Sequence, residues 1–248
     1  MSKAYDRMEW CFLEAVLLRL GFDDHWVGLI MQCVSTMKYY FLINGKPCGK
    51  LQPSRGLRQG DPLSPYLFLL CAEVFSALLD SKVASGQLEG VTVCAGAPII
   101  NHLLFTDDSL LFGKASVAEC LTIQSILSNY EAASGQQVNL AKSSIVFSKG
   151  VADIDRSMLA EVLGVVVVEK HDKYLGLPTV VGKNRTKTFS FIKSQLQNKL
   201  EGWQGKLLSG AGKDILIRVV AQSLPSYTMS CFLLPKTFCH SLRTSDVR

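Results

Sequence analysis

The sequence predicts an α+β fold, in which short antiparallel strands pack against helices. Three observations support it. Apolar residues recur at helical spacing in several segments, short segments rich in aromatic and β-branched residues lie between turn signals, and 48% of the 248 residues are hydrophobic. A chain of this length and composition can bury a sizeable core, so disorder is not expected.

The N-terminal part of the chain predicts two helices and a hairpin. Apolar positions at helical spacing cover 6–19, and the Asp-Asp pair at 23–24 can cap a second helix. The segment 38–51 is rich in aromatic and β-branched residues and contains Asn-Gly at 44–45, a strong signal for a two-residue turn. We expect a β-hairpin there.

The middle of the chain contains two long predicted helices. A glycine- and proline-rich loop, 53–65, leads into the first, at 65–82, and the second covers 117–133 and ends before Gly135. Between them, the sequence predicts strands at 91–94 and at 102–112, the latter interrupted by Thr-Asp-Asp at 106–108.

Shorter elements are expected after Gly135. They are strands at 144–147 and 165–168, a helix at 153–163, a turn at 174–178, and helices near 188–200, 212–223 and from 227 onward. The longest apolar stretch, 62–79, is interrupted by Glu73 and falls short of the roughly 20 residues that a membrane span requires. No signal-peptide pattern stands at the N-terminus. These features predict an intracellular protein without a membrane span.

Charge is distributed unevenly along the chain. Residues 1–168 carry 13 Lys and Arg against 16 Asp and Glu, whereas 169–248 carry 13 against 5. A basic C-terminal segment suggests an arm that lies along a polyanion, because Lys and Arg that neutralise phosphates release counterions. A solvated basic face is the alternative, and charge alone does not decide between them.

The eight cysteines are scattered and form no C-x-x-C pair. This spacing predicts buried free thiols and argues against a disulfide framework. Cys231, Cys239 and His240 are the nearest approach to a zinc site, but a tetrahedral site needs four ligands.

Two adjacent carboxylates, Asp107 and Asp108, lie between two apolar half-strands in Leu-Leu-Phe-Thr-Asp-Asp-Ser-Leu-Leu-Phe at 103–112. The pattern predicts a hairpin with acids at its tip, held rigid by buried flanks. Paired carboxylates suit Mg²⁺, and two such ions about 3.5–4 Å apart can support an in-line phosphoryl transfer. The alternative is a plain Asp-rich turn, which these residues favour for backbone reasons.

The loop Arg-Gly-Leu-Arg-Gln-Gly-Asp at 55–61 is the second candidate site. Its two glycines permit close backbone approach or positive φ, while Arg55, Arg58 and Gln59 offer donors to phosphates and base edges. A tight connection with solvated arginines would explain the same residues.

Taken together and in order, these motifs resemble LINE-type reverse transcriptases of non-LTR retrotransposons, especially those of plants. The residues that carry the resemblance are Lys-Ala-Tyr-Asp-Arg at 3–7, the loop 53–65, Phe-Thr-Asp-Asp at 105–108, Gly135 with Asn139 and Lys142-Ser143, and Tyr-Leu-Gly-Leu-Pro at 174–178. The resemblance covers about 1–238. It implies a right-hand polymerase palm over 1–168, with the fingers largely missing, and a basic helical thumb over 169–248.

The resemblance also implies an activity and its partners. The reaction would be RNA-directed DNA synthesis by two-metal nucleotidyl transfer, with Mg²⁺, or alternatively Mn²⁺, as cofactor. The partners would be an RNA template, a DNA primer and deoxynucleoside triphosphates, with no membrane involved. The thumb would grip the duplex through basic residues, namely Lys183, Arg185, Lys187, Lys193, Lys199, Lys206 and Lys213.

Matching positions imply individual roles. Asp107 and Asp108 would be catalytic metal ligands, and Lys142 would lie near the pyrophosphate leaving group as a proton donor. Nucleotide and template would be bound by Tyr5, Arg58, Gln59 and Gly60, with Tyr5 excluding a 2′-hydroxyl. A core aromatic is the alternative for Tyr5. The primer end would be supported by Tyr174, Leu175 and Gly176.

The sequence departs from the family pattern at several places. Thr106 stands where alanine is usual, the third metal-binding aspartate would directly precede Met1, and Asp6 is a poor substitute for it. At the other end, 241–248 lack the apolar pattern expected there. We therefore expect a domain truncated at both ends, with weak or no polymerase activity.

Two other functions stay open. The first is a non-catalytic retrotransposon remnant that binds nucleic acid or has no role. The second, an intron maturase, would require a C-terminal RNA-binding domain that this sequence does not contain.

Overall fold

A computed structural model describes residues 1, 3–171, 173–204 and 209–245 of the chain. It divides into two compact units, Met1–Val168 and Glu169–Arg248. Helices alternate with short strands throughout, so the α+β class is confirmed. The identity of the two units as palm and thumb stays a prediction.

The first unit contains most of the regular structure. Its elements are α1 (Ala4–Arg7), α2 (Trp10–Arg19), α3 (Asp24–Ser35), β1 (Tyr39–Ile43), β2 (Lys46–Leu51), α4 (Ser64–Ala84), β3 (His102–Phe105), β4 (Asp108–Leu111), α5 (Val117–Ser134), a 3₁₀ turn (Leu140–Lys142), β5 (Ser144–Ile145), α6 (Asp153–Leu163) and β6 (Val166–Val167).

The second unit is mainly helical. Its elements are β7 (Lys173–Tyr174), β8 (Leu177–Pro178), α7 (Arg185–Thr188), α8 (Ser190–Gln204), α9 (Gly210–Leu216), a π turn (Ile217–Ala221), α10 (Ser226–Cys231) and α11 (Lys236–Ser245). None of the helices in the described ranges is long and apolar enough to cross a bilayer.

The long helices follow the predicted signals closely. α4 carries a proline at its first turn, and α5 is capped by the Ser116 hydroxyl and ends at Gly135, whose φ is 74°. The first helix is different, because the continuous helix expected over 6–19 is broken between α1 and α2. At the break, the Met8 carbonyl accepts a hydrogen bond from the Gly56 amide instead of continuing the helix.

The strands form separate pairs rather than one sheet. Within the described residues there are four two-stranded pairs, and β5–β6 is parallel, which corrects the expectation of purely antiparallel strands. α6 provides the crossover that a parallel pair requires. The strand expected at 91–94 is reduced to one bridge between Val91 and Ile100.

The β1–β2 hairpin confirms the turn signal. Asn44 and Gly45 have φ of 50° and 76°, as a two-residue type I′ turn requires.

Two apolar clusters form the core of the first unit. One joins α1, α2, α3 and the start of α4 around Met8, Leu13 and Leu17, which are fully buried. The other joins the second half of α4 to α5 through Phe75 and Tyr130, whose ring centroids are 5.0 Å apart. A smaller cluster in the second unit contains Phe189, Ile192, Leu234 and Phe238.

Segment 4–10 is held tightly by the loop that precedes α4. The Gly56 and Leu57 amides donate to the Met8 and Tyr5 carbonyls at 2.8 and 2.7 Å, and the Trp10 indole donates to the Gly56 carbonyl at 2.8 Å. Gly56 has φ of 91°, and a Cβ there would lie 2.7 Å from the Asp6 carbonyl oxygen. Only glycine fits this close approach.

The cysteines are free, as predicted, but most are not buried. Cys71 and Cys120 are buried, Cys239 is half-buried, and Cys11, Cys33, Cys48, Cys94 and Cys231 are exposed. Burial raises the pKa of the Cys71 thiol to about 12. Burial, followed by the neighbouring Glu119 charge, raises the pKa of Cys120.

Substituting Gly56 tests the close approach to segment 4–10. We expect Gly56→Ala to lower the free energy of unfolding by more than Gly21→Ala, measured by urea denaturation. Gly21 is a matched control, because its φ is 89° and nothing lies within 4 Å of a Cβ built there. Both variants lose about 1–2 kcal/mol to the left-handed backbone, and Gly56→Ala loses about 1–3 kcal/mol more to crowding. Equal losses would contradict the close approach.

Thiol labelling tests the burial of Cys71. At pH 8 the folded chain should react with iodoacetamide at its five exposed cysteines but not at Cys71, because only the thiolate is reactive and a pKa of about 12 leaves almost none. Peptide mass spectrometry reads each site, and urea-denatured chain provides the control in which all eight cysteines react. Native labelling of Cys71 as fast as Cys48 would refute the packing of α4.

Candidate functional site

The two adjacent aspartates lie at the tip of the β3–β4 hairpin. The strands pair antiparallel from His102–Leu111 at the open end to Phe105–Asp108 at the tip. The turn therefore consists of two residues, Thr106 and Asp107. Asp108 begins the return strand.

One face of this hairpin packs on the core and the other does not. Leu104 and Leu111 pack against the α4–α5 cluster, whereas Leu103 and Phe105 on the opposite face are 44% and 54% exposed. The expectation that both apolar flanks are buried is therefore wrong for the outer face. Side chains alternate along a strand, and a two-stranded pair with one covered face buries only alternate residues.

The turn itself is polar and open to solvent. Asp107 and Asp108 are exposed, and the Thr106 hydroxyl donates to Asp107 Oδ1 at 3.1 Å. Thr106 has φ of 50°, which is uncommon for a β-branched residue. The Met1 amino group donates to the Asp107 carbonyl at 2.6 Å, so the start of the sequence lies against the acidic turn.

The described part of the chain contains no group of three or more His, Cys, Asp or Glu side chains arranged to hold a metal ion. The Asp107–Asp108 pair therefore supplies two carboxylates to a candidate metal site. That number suits Mg²⁺, which commonly binds one or two carboxylates and completes its shell with water and substrate phosphates.

The glycine-rich loop is buried in its first half and exposed in its second half. Gly56 and Leu57 are buried against segment 4–10, whereas Arg58, Gln59 and Gly60 are exposed. The Arg58 guanidinium lies 6.0 Å from the centre of the Tyr39 ring, at the base of the β1–β2 hairpin. Arg58, Gln59 and Gly60 are therefore exposed directly after two buried residues that are held by hydrogen bonds to segment 4–10.

Tyr5 and Lys142 lie on other elements of the first unit. Tyr5, on α1, is half-buried and stacks on Phe68 with ring centroids 5.0 Å apart and planes 14° apart. One face of its ring is therefore a core contact. Lys142 is exposed at the end of the 3₁₀ turn, which the Asn139 side chain caps. The roles of both residues stay predictions.

Tyr174, Leu175 and Gly176 form a hairpin turn in the second unit. Leu175 and Gly176 have φ of 51° and 79° and connect β7 to β8 as a type I′ turn. The hairpin is linked to α8 by Lys173, whose ammonium lies 5.5 Å from the Phe191 ring centre.

Most of the basic residues singled out in the second unit are available at its surface. Lys193 is half-buried and Lys206 lies outside the described residues, while the remaining ones are exposed, namely Lys183, Arg185, Lys187, Lys199 and Lys213.

One polar group near the hairpin was not found from the sequence. Ser76 and Asp80 of α4 face Asn101 and His102 at the open end of β3–β4, with hydrogen bonds of 2.7–2.8 Å between successive members. The available signal was a histidine at an inward position of an otherwise apolar strand.

The first unit thus combines an acidic turn, a loop with exposed donors and a half-buried tyrosine. Carboxylate oxygens can bind a divalent cation, and arginine and glutamine side chains can donate to phosphate oxygens.

Comparison with known proteins gives a consistent family. The family model described as reverse transcriptase (RNA-dependent DNA polymerase) matches residues 1–179. A 149 kDa uncharacterized protein of transposon TX1 from Xenopus laevis is 27% identical over 236 residues, 93% of this chain. A retrovirus-related Pol polyprotein from the type-1 retrotransposable element R2 of Popillia japonica is 31% identical over 156 residues, 61% of this chain.

An uncharacterized mitochondrial protein of Arabidopsis thaliana is 59% identical over 69 residues, 28% of this chain. The matches cover 57% of the Arabidopsis protein, 17% of the TX1 protein and 21% of the R2 polyprotein. The chain therefore spans only part of each of these relatives.

Proposed function

The chain belongs to the reverse transcriptase family and is a domain of the non-LTR retrotransposon kind, and from this premise we propose that it serves RNA-directed DNA synthesis by two-metal nucleotidyl transfer. The observation that carries the proposal is the Asp107–Asp108 pair, displayed at a two-residue turn whose hairpin packs on the core.

The acidic pair has the chemistry of a Mg²⁺ or Mn²⁺ site. Asp107 and Asp108 are exposed carboxylates on a short turn, and the deoxynucleoside triphosphate would provide further oxygen ligands. When bound, the ions would activate a primer 3′-hydroxyl and stabilise charge on the leaving group. Asp107 and Asp108 would hold the ions at the tip of the hairpin, whose inner face packs on the core.

A further ligand would fit beside Met1. The Met1 amino group lies 2.6 Å from the Asp107 carbonyl oxygen, so a residue joined to Met1 in a longer product would stand next to the acidic turn. We propose that a carboxylate at that place completes the site. With the two carboxylates of the described residues, we propose that polymerase activity is low.

Substrate binding is proposed for the exposed half of the glycine-rich loop. Arg58 and Gln59 would donate to phosphates and base edges of the nucleotide and template, and Gly60 would allow close backbone approach. Tyr5 would discriminate against a 2′-hydroxyl with the part of its ring not stacked on Phe68. Lys142 would supply a proton to the pyrophosphate.

The second unit is proposed to bind the duplex of RNA template and DNA primer. Its exposed lysines and arginines would neutralise phosphates, and the turn Tyr174–Gly176 would support the primer end.

A non-catalytic remnant is the second candidate. The observation that favours it is the set of exposed lysines and arginines in the second unit, which can bind nucleic acid without a metal site. Such a remnant would bind nucleic acid through the same basic surface without chemistry.

Substituting the acidic pair tests the metal site. Asp107→Asn and Asp108→Asn should each weaken Mn²⁺ binding by roughly tenfold, or about 1.4 kcal/mol, in electron paramagnetic resonance titrations. Asp6→Asn is the matched control, because Asp6 is also an exposed aspartate but belongs to α1. Unchanged affinity in both variants would refute the site.

Primer extension on an RNA template separates enzyme from remnant. We expect incorporation by the chain to be weak and to disappear in Asp107→Asn. Mn²⁺ binding without any Asp107-dependent incorporation would favour the remnant, and robust incorporation would contradict the proposal of low activity.

Salt dependence tests the basic second unit. Affinity for an RNA–DNA hybrid should fall steeply between 50 and 200 mM salt, and for six or more phosphate contacts the loss is on the order of 10³-fold. Lys183→Gln combined with Lys187→Gln should reduce the slope by about 2, because both lysines are exposed. Fluorescence anisotropy measures the affinity, and salt-insensitive binding would remove this assignment.

A further inference from the structure

A chain of polar side chains joins the open end of the β3–β4 hairpin to α4. Ser76 Oγ lies 2.7 Å from His102 Nε2, and His102 Nδ1 lies 2.7 Å from Asn101 Oδ1. The Asn101 amide nitrogen donates to Asp80 Oδ1 at 2.8 Å. We infer that Ser76 and His102 are positioning residues, which set where the acidic turn stands relative to α4.

The hydrogen-bond partners of Asn101 and His102 indicate which ring nitrogen carries the proton. Because the Asn101 amide nitrogen donates to Asp80, the Asn101 oxygen is the atom that faces His102, and it can only accept. In the neutral imidazole, His102 Nδ1 therefore carries the proton, and His102 Nε2 accepts from the Ser76 hydroxyl. The neutral imidazole has one tautomer in which all these hydrogen bonds are made.

The inner part of this row of hydrogen-bonded side chains is shielded from water. The His102 side chain is 13% exposed and Asn101 is 9% exposed, whereas the Asp80 side chain is 64% exposed. Shielded hydrogen bonds meet less competition from solvent than exposed ones. The Ser76–His102 bond should thus contribute more to the hairpin's position than the Asp80 end does.

Helix α4 provides both anchoring groups from one face. Ser76 and Asp80 are four residues apart, a separation that places side chains one above the other on a helix. They hold two consecutive residues, Asn101 and His102. The Asn101 carbonyl also accepts from the Phe112 amide at 2.8 Å, which closes the open end of the hairpin.

The hydrogen bonds to α4 fix the position of the hairpin along the helix, which apolar contacts alone do not. The inward apolar side chains of the hairpin are Leu104 and Leu111, and hydrophobic packing is non-directional. A hydrogen bond from Ser76 to His102 is lost when the hairpin slides along α4. Asp107 lies five positions after His102. At about 3.3 Å per residue along a strand, a tilt of the hairpin at His102 displaces the turn.

The consequence for function rests on the proposed metal site. Reacting groups displaced by about 1 Å can slow an enzyme by roughly 10²-fold. A hairpin held only by Leu104 and Leu111 would sample several positions, and the two carboxylates would move with it.

The test uses the full chain with three variants of α4. Ser76→Ala removes the hydroxyl, Ser76→Thr keeps it, and Ser81→Ala makes the same exchange at an exposed serine of the same helix. Alanine favours helix, so Ser76→Ala should not lower global stability through α4 itself. Effects confined to the hairpin are then due to the lost hydrogen bond.

Nuclear magnetic resonance and hydrogen exchange give readouts that need no metal. The wild-type His102 ring should show the Nδ1–H tautomer, and Ser76→Ala should give a mixture of tautomers. Amide exchange in β3 and β4 should rise about threefold to tenfold in Ser76→Ala, the change that one lost hydrogen bond brings. Ser76→Thr and Ser81→Ala should match wild type. An Nε2–H tautomer in wild type, or unchanged exchange in Ser76→Ala, overturns the inference.

Mn²⁺ affinity links the hairpin position to the metal site. Ser76→Ala should weaken Mn²⁺ binding about threefold or more although it touches neither carboxylate, and Ser76→Thr should restore it. If Ser76→Ala raises exchange but leaves Mn²⁺ affinity at the wild-type value, the positioning role is overturned. If wild type binds no Mn²⁺, the proposed function fails instead, and hydrogen exchange alone decides whether Ser76 and His102 set the hairpin.

Discussion

The structure of the first unit depends on hydrogen bonds that two loops, both distant in sequence, make to the backbone of segment 4–10. The loop before α4 donates to the Tyr5 and Met8 carbonyls, and after α5 the Gln136 side-chain amide donates to the Ala4 carbonyl at 2.6 Å. Each buried hydrogen bond contributes about 1 kcal/mol, and each orphaned partner would cost more. Glycine at position 56 is required because the backbones touch.

The same hydrogen bonds help to position several of the candidate residues. Tyr5 lies on segment 4–10, Arg58 directly follows the loop residues that donate to it, and the chain start extends from the same segment to the Asp107 carbonyl. Groups far apart in sequence are thereby brought onto one frame in Met1–Val168. Asp107, Asp108 and Arg58 are exposed and Tyr5 is half-buried, whereas Gly56 and Leu57 are buried. The positions of the exposed candidate side chains therefore come from the backbone that carries them rather than from their own packing.

The sequence anticipated local structure well and tertiary effects poorly. The Asn-Gly turn at 44–45, the helices α4 and α5, and the hairpin with acids at its tip are specified by capping, turn and periodicity signals that act within a few residues. The break after Arg7 was missed, because a distant loop takes the Met8 carbonyl. The Ser76–His102 bond was missed for the same reason, since no local pattern pairs a helix serine with a strand histidine.

Thr106, next to the two aspartates, has a backbone conformation that the register of the hairpin imposes. The register that pairs Phe105 with Asp108 leaves only two residues to reverse the chain, and this forces Thr106 to φ of 50°. For a non-glycine residue that conformation costs about 1–2 kcal/mol, so it persists only where surrounding contacts over-determine it. Those contacts are the packing of Leu104 and Leu111 and the hydrogen bond at His102, which hold the two strands in register. The strained conformation of Thr106 therefore depends on polar and apolar contacts made along the hairpin rather than on the turn alone.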